Sequence, residues 1–234
     1  SMQTVDSQTR SISNFEICRE GGGRYEQIGD ILSGRLGLDT EALSALDDNV
    51  CQIVIGDMSD PTIASVASSL LINAKDLGSE GYNLVSMPNP RSTNGSWIIM
   101  IVGTSGKTEG VFRGAMTLID LVEGGTIGNF RIRDYPDSPF RSLMHWISFY
   151  PCDQYMSVTD WVSDRRDSLA LMKGTGCNAV HLGGARFMNM DYIHCDAPAG
   201  RWLNEVAYWS RYYGMEPIPQ LGSVDWNLRN DHPL

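Results

Sequence analysis

The segment Cys51-Gln-Ile-Val-Ile55, with the residues that follow it, decides the fold. It is a short apolar run rich in β-branched residues, which predicts a buried strand. Asp60-Pro61 then supplies an acidic N-cap and a proline suited to the first turn of a helix. The apolar residues at helical spacing after this point are Ile63, Val66, Ala67, Leu70, Leu71 and Ala74. We expect Gly78 to end this helix, and a strand followed at once by a helix indicates an α/β fold.

The rest of the first half repeats this mixture of strands and helices. Residues 82–87 and 97–102 are strand-like and are separated by turn-forming Pro, Asn and Gly, so they predict a hairpin. Residues 111–122 have helical periodicity and end before Gly124-Gly125, and residues 127–132 return to an extended pattern. We interpret Gly21-Gly22-Gly23, for which no preceding strand is evident, as a flexible loop. The first half is therefore predicted to be an α/β sandwich.

A boundary is predicted at residues 134–139, where two prolines and two acids disfavour any regular element. Beyond it, strands and helices alternate regularly, which is typical of parallel β/α units. The predicted strands are 143–149, 177–182 and 215–221, and the predicted helices are 160–173 and 201–213. Pro217 and Pro219 remove two backbone donors from the last strand, which favours a strand end, a bulge or an edge.

Composition and charge narrow the classes of partner. The chain carries 18 Lys and Arg against 28 Asp and Glu, for a net charge of −10, and the basic residues form no stripe. Nucleic acid is therefore an unsuitable partner, and no apolar run approaches the length needed to cross a bilayer. The five cysteines are odd in number and far apart, so at least one thiol has no partner within the chain.

Motifs for common cofactors are incomplete. Gly103-Thr-Ser-Gly-Lys-Thr108 resembles the end of a phosphate-binding loop, but Ile101 stands where that loop needs glycine, so we interpret it as a polar turn. The four histidines include no HExxH pair, and adjacent His194-Cys195-Asp196 cannot all face one ion from a strand. We expect neither a cofactor nor a metal.

Four residues are candidates for binding a substrate. His145 and His181 lie within or near the ends of predicted parallel strands, where side chains of a barrel reach the active-site face; each also suits a core position. Arg141 directly precedes the first of these strands and could hold an anion or hydroxyl groups, or form a salt bridge with Asp134 or Asp137. Asp225 completes the set as an acid or base, should the chain be a complete small α/β enzyme.

The order of five landmarks resembles the family 20 glycoside hydrolases, the β-N-acetylhexosaminidases. The landmarks are Cys51-Gln-Ile-Val-Ile-Gly56, Gly81-Tyr-Asn-Leu84, Gly110-Val-Phe-Arg-Gly-Ala-Met-Thr-Leu118, Ile132-Arg-Asp-Tyr-Pro136 and Arg141-Ser-Leu-Met144. The resemblance implies a hexosaminidase-type accessory α/β domain over residues 1–136 and the first three β/α units of a TIM barrel over residues 137–234. It also implies that Arg141 holds sugar hydroxyls, while Asn178-Ala-Val-His181-Leu182 matches the start of a family strand.

The resemblance carries consequences for function. In that family an Asp-Glu pair after the fourth barrel strand performs catalysis, with Glu protonating the leaving oxygen and Asp orienting the substrate's acetamido group. We therefore expect the N-terminal portion of a carbohydrate-active hydrolase, inactive by itself, whose ligands are amino-sugar or uronic-acid glycosides. The alternative is a non-catalytic module that binds sugar or protein. An open barrel edge predicts self-association, and the resemblance favours a secreted or periplasmic location.

Overall fold

The computed structural model describes residues 2–122, 124–146, 158–183 and 198–219. The chain separates into two units, Ser1–Asp137 and Ser138–Leu234, which we call the N-terminal unit and the C-terminal unit.

The N-terminal unit is built on one sheet of seven strands. The strands are β1 (Met2–Ser11), β2 (Glu16–Arg19), β3 (Thr40–Ala42), β4 (Gln52–Asp57), β5 (Tyr82–Pro88), β6 (Trp97–Gly103) and β7 (Thr126–Asp134). Their order across the sheet is β1-β7-β5-β6-β4-β2-β3. The pairs β6–β4, β4–β2 and β2–β3 are parallel, whereas the pairs β1–β7, β7–β5 and β5–β6 are antiparallel. The sheet is therefore half parallel and half antiparallel.

Three α-helices accompany this sheet: α1 (Gly23–Leu36), α2 (Pro61–Ser69) and α3 (Thr108–Leu121). The helix α2 packs with Val54, Met100 and their neighbours in one buried cluster. Ile101, next to Met100 along β6, faces α3 at Gly114 instead. Because strand residues alternate between faces, helices cover both faces of the central strands. This explains why β4 and β6 are buried along their whole length.

The strand 51–55, the hairpin and the helix beginning after Asp60 are confirmed. The Asp60 carboxylate accepts hydrogen bonds from the amides of Thr62 and Ile63, at 2.7 and 3.1 Å. These contacts satisfy two of the N–H groups that the first turn leaves unpaired. The predicted cap is thus the cap that forms. The predicted helix 111–122 and strand 127–132 are confirmed as α3 and β7.

The predicted end of α2 at Gly78 is wrong. The helix ends at Ser69, and Leu71 adopts φ +55°. The amide of Ile72 bonds to the carbonyl of Ala67 at 2.9 Å and that of Leu71 bonds to the carbonyl of Ser68 at 3.1 Å. This pair of bonds is a Schellman motif, which usually has glycine at its left-handed residue. Because leucine occupies that position, the sequence pattern does not indicate that the helix ends there.

The first fifty residues hold elements that the apolar pattern does not reveal. Gly21–Gly23 follows the strand β2 and leads into α1, with Gly22 at φ +83° as the N-cap. The interpretation of this segment as a flexible loop without a preceding strand is therefore wrong. Glycine is required there because the chain turns from strand to helix through positive φ.

The C-terminal unit alternates strands and helices. Its elements are β8 (Ser142–Trp146), α4 (Val158–Gly174), β9 (Ala179–Gly183), α5 (Pro198–Tyr212) and β10 (Glu216–Pro219). The three strands are parallel in the order β10-β9-β8. The predicted alternation is confirmed for these residues, and the predicted ends at 147–149 and 220–221 lie outside the described residues. The chain thus has the predicted α/β class.

The two prolines of β10 leave its pairing with β9 intact. The amide of Glu216 bonds to the carbonyl of Asn178 at 2.8 Å. Since amides along a strand point alternately to either side, the nitrogens of Pro217 and Pro219 occupy positions that point away from β9. The missing donors therefore cost the β9–β10 ladder nothing.

Candidate functional site

Arg141 lies at the amino end of β8, where its side chain binds backbone oxygens. Its Nε donates to the carbonyl of Gly176 at 2.8 Å, and its Nη1 donates to the carbonyl of Ser138. Its backbone N–H donates to the side-chain oxygen of Asn178 at 2.9 Å. Sugar sites of β/α barrels lie at the carboxyl ends of the strands. The placement of Arg141 therefore favours a structural role over the contact with sugar hydroxyls that the resemblance implies.

Asn178 completes this arrangement from the start of β9. Its Nδ2 donates to the carbonyl of Pro139 at 2.7 Å, while its own amide donates to the carbonyl of Arg141 at 2.9 Å. One asparagine thus joins the entry to β8 with the entry to β9. We call Ser138, Pro139, Arg141, Gly176 and Asn178 the amino-end clamp.

His181 occupies the middle of β9. It pairs with Met144 on one side and with Ile218 on the other, so three positions of β8 separate this level from Arg141. Its ring is half-buried and meets the ring of Phe140 edge to face, with 6.3 Å between centroids. The structure therefore does not bring Arg141 and His181 together.

Of the other two predicted site residues, His145 lies in the described part of the chain and Asp225 does not. His145 pairs with Leu182 in the β8–β9 register, one position beyond the pair of Met144 with His181. Successive positions of a sheet belong to opposite faces, so the backbone does not place the two histidines on one face. Asp225 lies outside the described residues.

A buried acidic group at the carboxyl ends of β2 and β4 was missed by the sequence analysis. The phenol of Tyr25 donates to Oδ2 of Asp57 at 2.5 Å, and the amide of Ser59 donates to Oδ1 at 2.6 Å. The carboxylate of Glu20 in turn accepts from the amide of Asp57 at 3.3 Å. Asp57 is only 2% exposed. The available signal was its position directly after an apolar strand.

The surroundings shift the pKa values of the two carboxyl groups, Asp57 and Glu20, in opposite directions. Burial by itself would raise the pKa of Asp57, but hydrogen bonds from Ser59, Tyr25 and the amide of Gly106 lower it overall. Burial raises the pKa of Glu20, and the neighbouring charges of Asp57 and Asp60 add to that rise. Carboxyls separated in this way often act as acid and base. Here, however, the oxygens of Asp57 are enclosed and hydrogen-bonded, so the group holds loops together instead of facing a substrate.

The segment Gly103–Thr108 belongs to this same edge of the sheet. It joins β6 to α3, with Gly106 at φ +69° and the amide of Lys107 bonded to the carbonyl of Thr104 at 3.0 Å. The Gly106 amide, which a phosphate-binding loop would direct at its ligand, bonds to Asp57. This geometry accords with the interpretation of the segment as a polar turn.

Metal and thiol chemistry find little support in the described part of the chain. Among residues 2–122, 124–146, 158–183 and 198–219, no group of three or more His, Cys, Asp or Glu is placed to hold a metal ion. Cys18, Cys51 and Cys177 are free thiols. Burial raises the pKa of Cys18 to about 11, with smaller contributions from Glu16 and Glu41, so this thiol stays protonated and weakly nucleophilic. None of the described helices is long and apolar enough to cross a membrane.

The arrangement of a mixed sheet followed by parallel β/α units is a glycoside hydrolase-like fold. The structure of CpGH84B matches 94% of this chain with a TM-score of 0.62 and 13% identity. CpGH84D matches the same share with a TM-score of 0.63 and 15% identity. The GH20 β-N-acetylhexosaminidase from Streptomyces coelicolor A3(2) also matches 94%, with a TM-score of 0.60 and 18% identity.

These similarities concern the fold. The chain spans 35%, 36% and 44% of the lengths of the three structures, in the order given. No protein-family model matches the sequence, and a search of curated proteins finds no match.

Proposed function

We propose that this chain forms the accessory domain and the first three β/α units of a glycoside hydrolase of the hexosaminidase type. One observation carries the proposal: the similarity covers 94% of this chain, through both units, but less than half of each matched structure. The five sequence landmarks of the family 20 glycoside hydrolases support it independently, because they occur in the family's order. Residues 1–136 are the accessory domain in this proposal, and residues 137–234 begin the barrel.

The proposed substrate is an amino-sugar or uronic-acid glycoside, and the proposed catalytic acids lie outside this chain. Of the four predicted substrate-binding residues, His181 is the one whose described position suits a sugar contact, because it is half-buried on a strand of the parallel sheet. Its role in this proposal is to donate or accept a hydrogen bond with a hydroxyl group. Arg141 would position the strands that carry such contacts.

The hydrolysis of 4-nitrophenyl N-acetyl-β-glucosaminide tests the proposal. The chain of residues 1–234 and the product of the complete reading frame are assayed at equal concentration. We expect no release of 4-nitrophenol by the chain and clear release by the complete product. Hydrolysis by the chain itself would contradict the proposed location of the catalytic acids. A reading frame that ends at Leu234 would contradict the proposal that the chain is part of a longer hydrolase.

A non-catalytic module that binds sugar is the second candidate, favoured by exposed aromatic side chains in the C-terminal unit. Tyr208 is 57% exposed and contacts the rings of Trp209 and Tyr212. Aromatic faces of this kind pack well against apolar faces of ligands. Calorimetric titration of the chain with N-acetylglucosamine and with glucuronic acid separates the candidates. Binding of neither sugar, together with hydrolysis by the complete product, would end this second interpretation.

Self-association remains part of the proposal for the chain by itself. Within the described residues, β8 and β10 each pair with β9 only, and an unpaired strand can template the strand of another copy. Light scattering over a range of concentrations should show an increase in mean mass. A constant monomer mass at the highest concentration would contradict this expectation.

A further inference from the structure

A small cavity lies on the α2 side of the N-terminal sheet, beyond the point where α2 ends. Its volume is about 240 Å³. This is below the roughly 300–1,000 Å³ of pockets that enclose whole drug-sized ligands, so it suits a single compact group. The residues that line it are Leu71, Ile72, Asn73, Asn83, Val85, Arg131, Ile132 and Arg133.

The cavity is formed where side chains of β5 and β7 bind the loop after α2. The guanidinium of Arg131 donates to the carbonyl of Leu70 at 2.8 Å, and that of Arg133 donates to the carbonyl of Lys75 at 2.6 Å. The amide group of Asn83 donates to the carbonyl of Asn73 at 3.1 Å. Three hydrogen bonds from side-chain donors to backbone carbonyls therefore hold the loop over the strands. They also fix the two guanidinium groups beside the cavity.

The charge of Arg131 has no carboxylate beside it. Its other contact is with the sulfur of Met87 at 3.3 Å, which is uncharged. In the described part of the chain, no carboxylate lies within ion-pair distance of its guanidinium. A guanidinium has five N–H donors, and the two contacts of Arg131 leave others available. Half-buried cations without a counter-ion are costly, so an anion in the cavity would be favoured.

Three other charged residues lie on the segments that form the cavity: Lys75, Asp76 and Asp134. Asp134, which follows Arg133 along β7, is engaged by the guanidinium of Arg113 at 3.5 Å. On the loop itself, the exposed Lys75 and Asp76 are adjacent and opposite in charge. The exposed ring of Tyr135 lies beside the guanidinium of Arg133, with 5.5 Å from its Cζ to the ring centroid. The positive charge that the cavity offers a ligand is therefore that of Arg131.

We propose that this cavity binds a compact oxyanion, such as the carboxylate or sulfate group of an acidic sugar. The planar donor fork of Arg131 suits the oxygens of such groups. Asn83 adds an uncharged polar side chain to the lining. The proposal does not depend on the glycosidase proposal, because it concerns only the N-terminal unit and its own residues.

Calorimetric titration at low ionic strength tests the proposal, with the chain of residues 1–234 as the protein. The probes are sodium glucuronate, glucose 6-sulfate and inorganic phosphate, with glucose as the neutral control. We expect at least one oxyanion to bind at least about tenfold more tightly than glucose, because charge-assisted hydrogen bonds are the stronger kind. Preference for glucuronate or glucose 6-sulfate over phosphate would identify an acidic sugar as the source of the anion. Oxyanion affinities equal to that of glucose would overturn the proposal.

Variants at the rim locate the binding. Leu71 is 85% exposed, so Leu71→Asp adds a carboxylate at the cavity without disturbing the core, and Leu71→Asn is its uncharged match. Aspartate and asparagine both tolerate the positive φ of this position. We expect Leu71→Asp to weaken oxyanion binding about tenfold and Leu71→Asn to preserve it.

Arg131→Gln should also weaken binding, while Arg35→Gln, on the exposed end of α1, should leave it unchanged. Circular dichroism checks that Arg131→Gln is folded. If it is not, the comparison of Leu71→Asp with Leu71→Asn still tests whether the anion binds in the cavity. Binding that survives Leu71→Asp would place the anion elsewhere and overturn the proposal.

Discussion

The two units contain similar elements but bury them to different degrees. In the N-terminal unit, Ile53, Ile55, Ile99 and Ile101 are completely buried, with helices on both faces of the sheet. In the C-terminal unit, apolar side chains remain exposed, among them Leu143 at 43%, Leu171 at 73% and Tyr208 at 57%. The order of strands and helices alone therefore does not determine how much apolar surface is removed from water. In the C-terminal unit the amino-end clamp adds polar contacts at the entries to β8 and β9.

The largest effect should come from the closest helix packing in the N-terminal unit. A Cβ at Gly110 would lie 2.0 Å from the carbonyl oxygen of Gly81, so Gly110→Ala must push α3 away from this backbone. We expect a loss of about 3 kcal/mol in the free energy of unfolding, as for a severe case of overpacking. Chemical denaturation followed by circular dichroism measures it.

Gly34 provides the matched control within α1. A Cβ there meets nothing within 4 Å, so Gly34→Ala should stabilise the chain by up to about 1 kcal/mol through helix propensity. Equal effects of the two substitutions would show that α3 does not press on Gly81.

The buried carboxylate of Asp57 should give the next largest effect. Asp57→Asn removes the charge that Tyr25, Ser59 and the Gly106 amide stabilise, so we expect a loss of about 2 kcal/mol. Asp30→Asn, on the exposed side of α1, is the control and should change little.

The pH dependence of stability follows from the direction of the pKa shift. Because the pKa of Asp57 is lower in the folded chain than its ordinary value, its contribution is complete above that ordinary value. The contribution falls as the pH drops through the lowered pKa. Asp57→Asn should therefore lose less stability on acidification than the unaltered chain, and a parallel pH profile would contradict this assignment.

The amino-end clamp should give a smaller and local effect. Asn178→Ala removes the bonds that Asn178 makes with the amide of Arg141 and the carbonyl of Pro139. We expect a loss of about 1.5 kcal/mol, seen as faster amide exchange in β8 and β9 by mass spectrometry. Asn204→Ala, on the exposed surface of α5, should leave these rates unchanged. Unaltered exchange in both variants would remove the clamp as a stabilising feature.

The smallest effect should come from the stop of α2. Leu71 has a left-handed conformation and is mostly exposed, so Leu71→Gly relieves strain and loses little buried surface. The greater freedom of glycine in the unfolded chain offsets part of the gain. We expect a net stabilisation of about 0.5 kcal/mol in thermal denaturation, and a loss of stability would show that Leu71 is not strained.

Elements with strong local signals were predicted from the sequence. The strand 51–55, the cap at Asp60 and the hairpin depend on residues that are close in the chain, and each is confirmed. The Schellman stop at Leu71 was missed because its usual glycine is absent. The strand β2 was missed because it has only four residues and pairs with β4, far along the chain.

The candidate site was harder to predict than the fold. Arg141 and His181 were both candidates because of their places at predicted parallel strands, but β8 separates the level of Arg141 from that of His181 by three positions. The contact of Tyr25 with Asp57 joins residues 32 positions apart, and no local pattern indicates such a pair. The cavity at Arg131 likewise depends on how a loop returns over the sheet.

The central claim is that the C-terminal unit consists of successive β/α units with parallel strands. Nuclear Overhauser contacts between backbone protons of β9 and its neighbours test this most directly. The account predicts a parallel pattern on both sides, with Val180 opposite Leu143 and opposite Pro217. An antiparallel pattern on either side, or contacts with only one neighbouring strand, would contradict the claim.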